Sequence, residues 1–121
     1  MAAPNVVSVA TITGKTDVTA AVGLTAETVV HNDTAVATGK VYKVNRLTCS
    51  NILSAAATVT VDFYRASTAY TITKDISLAA GSTLNVLRGE SIYLEEGDAL
   101  RVTSDTASAL DVVASYEIIS E

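Results

Sequence analysis

Tryptophan is absent from this 121-residue chain, and His, Cys, Phe and Pro occur once each. Each scarcity closes off a class of protein. A single cysteine leaves no intramolecular disulfide to staple the fold. One His and one Cys cannot supply the three or four N/S ligands of a zinc site. No G-x-S-x-G elbow places a nucleophile beside His31, and no Gly-rich phosphate loop is present. Basic residues number 8 against 13 acidic ones, scattered singly, for a net charge of −5. That balance argues against a nucleic-acid surface. Apolar runs extend only a few residues, far short of the ~20 that a spanning helix needs, so no membrane partner is expected. No basic start precedes an apolar block, so no signal peptide is expected.

What the chain has is Ala, Thr and Val: 19, 17 and 16 residues respectively. Hydrophobic residues reach 49% and the mean hydropathy is +0.36, which excludes whole-chain disorder. The length suits one domain, large enough to bury a core without staples. A period of two dominates the pattern. Val59, Val61 and Phe63 fall on one face of a strand, and Thr58, Thr60, Asp62 and Tyr64 on the other. Ala66-Ser67-Thr68 turns the chain into a second run, Ala69 to Lys74, to make a hairpin. Ile76 and Leu78, Leu84 and Val86, Ile92 and Leu94, and Leu100 and Val102 mark further short strands. Turn residues at 79–82, 88–90 and 95–98 separate them.

The last strand places Val112, Ala114, Tyr116 and Ile118 on one face. Val113 and Ile119 on the other predict a strand covered on both sides. Earlier, Val18, Ala20 and Val22 alternate after a break at Gly14-Lys15. Thr28 to His31 predicts a short strand and Lys40 to Cys49 a longer one. No helical period persists. Eight or nine short strands predict an all-β, antiparallel β-sandwich of residues 1–121, with jelly-roll and immunoglobulin-like connections both open. Residues 1–12, with Pro4 near their start, fit an extended N-terminal arm or an edge strand.

No constellation carries chemistry. His31, in His31-Asn32-Asp33, reads as a solvated loop histidine. Glu95, Glu96 and Asp98 are the densest acidic cluster and read as a solvated turn around Gly97. No metal is expected; the nearest approach is a weak surface calcium site on Glu96, Asp98 and Asp105. Among the five tyrosines Tyr64 is the best sugar platform, because it lies opposite Val59, Val61 and Phe63. Cys49, with no Lys or His beside it, reads as a small buried hydrophobe. Neither catalytic residues nor a cofactor is expected.

Several runs together carry a resemblance. Val41-Tyr42-Lys43-Val44-Asn45-Arg46-Leu47, Thr58 to Asp62 and Leu78 to Leu84 come in a familiar order. They are followed by Ile92-Tyr93-Leu94-Glu95-Glu96-Gly97-Asp98-Ala99-Leu100-Arg101-Val102 and Val113-Ala114-Ser115-Tyr116-Glu117. Over residues 40–119 this resembles small virion structural proteins of tailed bacteriophages, particularly of the cyanophage kind. The resemblance implies a β-sandwich accessory protein made in the host cytoplasm and carried in the virion. It implies a capsid decoration (cement) protein, with a neck, collar or tail component as the alternative. From another class, a carbohydrate-binding adhesin would use Tyr64 or Tyr93. Partners would be other virion proteins, the major capsid protein first, with a homo-oligomer such as a trimer. Pro4, Val6, Val7, Val9 and Ile12 would form the docking arm.

Overall fold

The computed structural model describes residues 11–31 and 35–120. Nine strands make up its regular structure: β1 (Thr11–Val22), β2 (Glu27–Thr28), β3 (Lys40–Asn51), β4 (Ala57–Arg65), β5 (Thr68–Leu78), β6 (Thr83–Asn85), β7 (Ile92–Leu94), β8 (Ala99–Thr103) and β9 (Leu110–Ser120). One sheet runs β1-β9-β3-β6, with β7 also on β3; the other runs β2-β8-β4-β5. Every ladder is antiparallel. The all-β sandwich read from the alternation is therefore the fold.

The nesting of the ladders decides between the two connection schemes. β4 pairs β5, β3 pairs β6 and β7, β2 pairs β8, and β1 pairs β9. These are the rungs of a single long hairpin whose tip is at residues 66 and 67. Rolling that hairpin up brings β9 against β3 and β8 against β4, the two remaining ladders. A rolled hairpin that closes into two four-strand layers is a jelly roll, with β6 and β7 as two halves of one interrupted strand.

The core lies between the sheets and is built from small β-branched side chains around two tyrosines. Tyr42, Val44, Leu47, Cys49, Val112, Ala114 and Tyr116 come from one sheet, and Ala57, Val59, Val61, Leu100 and Val102 from the other. In β3 the inward positions change from even to odd numbers between Val44 and Leu47. A bulge at Asn45 causes this, since Val44 opposes Tyr116 while Arg46 already opposes Ser115. One extra residue resets the phase and keeps both halves of the strand on the core.

Four expectations need correction. β1 passes straight through Gly14-Lys15, because a residue without a side chain costs little on a strand whose outer face is open. The strand expected at Thr28–His31 is only Glu27–Thr28, since His31 has a φ of 61° and turns the chain out of the sheet. The break after Lys74 is a bulge within β5, with Thr73 opposite Val61 and Ile76 opposite Val59. Finally, β9 is covered on one face over most of its length: Val112, Ala114 and Tyr116 are buried, whereas Val113 is 37% exposed. Its outer face belongs to a sheet that nothing described covers there, and only Ile119, opposite buried Val41, is sealed on that side.

Candidate functional site

The two ends of the sandwich differ in chemistry. At one end, loops 23–26, 52–56, 79–82 and 104–109 hold a single charged residue, Asp105, with Leu24 and Ile52 exposed among alanines and serines. These loops are tied to one another by backbone hydrogen bonds: Ala109 N–H to Val22 C=O (3.0 Å), Ile52 N–H to Ala109 C=O (2.9 Å) and Ser104 N–H to Gly23 C=O (2.8 Å). Asp105 spends its charge internally, accepting from the Thr58 N–H at 3.0 Å and the Thr106 hydroxyl at 2.9 Å. Those bonds hold its carboxyl below the usual value. This end is a largely uncharged surface on a firmly tied base.

The other end is acidic and built around a buried carboxylate. Asp98 is 1% exposed and takes the Arg65 guanidinium through both oxygens, at 2.8 Å from Nε and 2.6 Å from Nη2. Its Oδ2 also accepts the Glu95 N–H at 2.8 Å, and Glu95 meets the same guanidinium at 3.1 Å. Arg65 in turn lies 5.0 Å from the centre of the Phe63 ring. The Val36 N–H donates to the Asp98 carbonyl at 3.0 Å and the Gly97 N–H to the Val36 carbonyl at 2.9 Å. The 95–98 segment is thus a clamp joining the β4–β5 hairpin to the β7–β8 turn and the 35–39 loop, not the solvated turn expected. The calcium arrangement also fails, because Asp105 sits at the opposite end of β8 from Glu96 and Asp98.

His31 is likewise not a solvated loop residue. Its ring packs against Tyr42 with centroids 5.1 Å apart, and Tyr42 lies 5.6 Å from Tyr116. Asp17 on β1 accepts the Tyr116 hydroxyl at 2.7 Å and the His31 N–H at 2.5 Å. Burial pushes both tyrosine hydroxyls above their ordinary value, with the Asp17 charge adding to it. This cluster fastens the start of the 31–39 connection to the edge strand. Cys49 is fully buried as expected, and burial pushes its thiol up to about 12.

Of the expected docking residues, Pro4, Val6, Val7 and Val9 lie outside the described residues. Ile12 is on β1, 55% exposed, opposite Ile119 on the outer face of its sheet. Val18, which the sequence offered only as part of an alternation, is more exposed still, at 76%, and lies beside Val113. The sugar-platform reading of Tyr64 is corrected: the Arg101 guanidinium sits 3.9 Å over its ring, held near Asp62 at 4.0 Å, and the residue is half-buried. Tyr93 and Tyr70 are the exposed tyrosines, one in each sheet. Among the described residues no group of three His, Cys, Asp or Glu side chains converges as metal ligands, and no helix is long and apolar enough to cross a membrane.

No protein-family model matches the chain, and no curated protein matches it. A solved structure, described as "Bacillus endospore appendages form a novel family of disulfide-linked pili", is similar over 93% of each chain, at 15% identity and a TM-score of 0.46.

Proposed function

We propose that the protein is a non-enzymatic virion structural protein of a tailed bacteriophage, and within that class a capsid decoration (cement) subunit. The observation that carries the assembly part of this reading is where the exposed apolar side chains sit. Leu24 and Ile52 cap an end with one internally engaged charge, and Ile12, Val18 and Val113 line the outer face beside a strand edge that bears no ladder among the described residues. Exposed apolar side chains on a base tied by backbone hydrogen bonds suit contact with other proteins. The virion part rests on the resemblance of residues 40–119. Its two most distinctive motifs end in Asp98 and include Tyr116, both of them buried structural residues. They therefore support the fold of such proteins and are silent on where in the particle it is used.

On a symmetric shell many copies share the load, so each contact can be modest. The expected partner is the major capsid protein, with the subunit made in the host cytoplasm. The test is gold-labelled antibody against this chain on intact virions. Label over the head, with faster heat-induced DNA loss from particles lacking the protein, supports decoration. Label restricted to the neck or tail replaces decoration with that location. Abundant protein in lysate with no label on particles overturns the virion reading.

A further inference from the structure

We propose that the outer edge of β1, away from β9, pairs antiparallel with the β1 of a second copy, about a two-fold axis at Thr16, to form a homodimer with one continuous sheet. An unpaired strand edge presents a row of N–H and C=O groups that another strand can satisfy. The edges of this sandwich are not equivalent. β2, β6 and β7 are two or three residues long. β5 is long, but its ladder shifts register twice around Val61, and Asp75 there has a φ of 49° beside Lys74. Bulges and a lysine blunt an edge against pairing. β1 has no bulge over Thr11–Thr19: it opposes β9 residue for residue from Ser120 to Val112, and among the described residues its other side bears no ladder. Its one lysine, Lys15, has an aspartate, Asp17, two positions on along the same face.

The sequence of β1 then selects both the partner and the register. In a two-fold antiparallel pair with both sandwich cores on the same side, opposed residues must share a face, so their numbers sum to an even value. With Thr16 opposite Thr16 of the second copy, Lys15 opposes the second copy's Asp17 and Asp17 its Lys15. Both lie on the core-facing side, since their β9 partners Tyr116 and Ala114 are buried. Asp17 is held in place for this by Tyr116 and the His31 backbone. On the outer face Val18 comes to lie over Gly14, where a Cβ would meet nothing within 4 Å, so the space is open. Thr13 opposes Thr19. Centring the axis one residue either way sets Lys15 on Lys15 or Asp17 on Asp17, and like charges directly opposite are destabilising. One register therefore satisfies the edge, the charges and the valine together, and its occupant is another copy of this chain.

The dimer is independent of where the protein works, so it is tested on the purified full chain. Sedimentation equilibrium at tens of micromolar should show a dimer. Lys15→Glu, which sets glutamate opposite aspartate at two symmetric points, should raise the dimer Kd at least tenfold. Register is read by cysteine cross-linking. Thr16→Cys should oxidise to a covalent dimer at least tenfold faster than Ile72→Cys on β5, and native Cys49 is too buried to compete. Thr13→Cys combined with Thr19→Cys should cross-link in the same register, which covers any loss of the Thr16–Ser115 hydroxyl contact at 3.2 Å. A monomer or a trimer at these concentrations overturns the proposal. So does cross-linking through Thr16→Cys and the 13/19 pair no faster than through Ile72→Cys.

Discussion

Asp98 and Arg65 share two hydrogen bonds but differ in what each leaves behind when the other is removed. The Arg65 side chain is 45% exposed and the Asp98 side chain 1%. Replacing Asp98 releases a guanidinium that water can take up. Replacing Arg65 strands a carboxylate in the interior, with the Glu95 N–H as its remaining donor from the clamp. Stranding a buried charge costs about 3–5 kcal/mol, whereas a lost hydrogen bond between groups that rehydrate costs about 1–2 kcal/mol. Arg65→Ala should therefore destabilise the protein more than Asp98→Asn, by about 2 kcal/mol in urea-midpoint measurements at neutral pH. Equal losses, or a larger one for Asp98→Asn, would show that the exposed Glu95 contact dominates the clamp.

At the scale of elements, the β4–β5 hairpin stores removable strain. Arg65 opposes Thr68, so the loop is the two residues Ala66 and Ser67, with φ of 52° and 63°. Both φ values lie in the left-handed region that a two-residue hairpin turn needs, and which Asn-Gly adopts at low cost. An L-residue there costs on the order of 1–2 kcal/mol. Exchanging Ala66-Ser67 for Asn-Gly should raise stability by about 1–2 kcal/mol, read as a higher thermal midpoint with an unchanged circular dichroism spectrum. A lower midpoint would mean that the native pair makes contacts outweighing its strain. This hairpin was also the most legible element, because its alternation and turn are local. β1 was less legible. Gly14 reads as a break in isolation, and only the ladder to β9 shows that it is a gap in the outer surface of a regular strand. The Asn45 bulge was hidden for the opposite reason: two correct alternations out of phase look like weak periodicity.

Over the whole molecule, alternation identified an all-β chain but not the order in which strands meet, since a period of two is blind to partners 33 to 99 residues away. The Arg65–Asp98 and Asp17–Tyr116 contacts span those separations, and neither was visible before the hairpin was rolled up. The rolled hairpin also gathers three weak acids into the sandwich interior: Cys49, Tyr42 and Tyr116. All three are held protonated by burial, the thiol up to about 12 from 9.0 and both phenols above 10.0. In the unfolded chain each ionises at its ordinary value, so above that value the unfolded state gains stability that the folded state does not. Their contribution is fully present below pH 9 and is lost as pH rises through the folded values. Cys49 alone should lower the unfolding free energy by about 1.4 kcal/mol per pH unit above pH 9, and the tyrosines should steepen the fall above pH 10. Urea titrations from pH 8 to 11 test this. Cys49→Ala should flatten the segment between pH 9 and 10, at the cost of lower stability at pH 8 from the cavity it leaves. A wild-type profile that stays level to pH 11 would mean that the interior admits enough water to ionise these groups in the folded state.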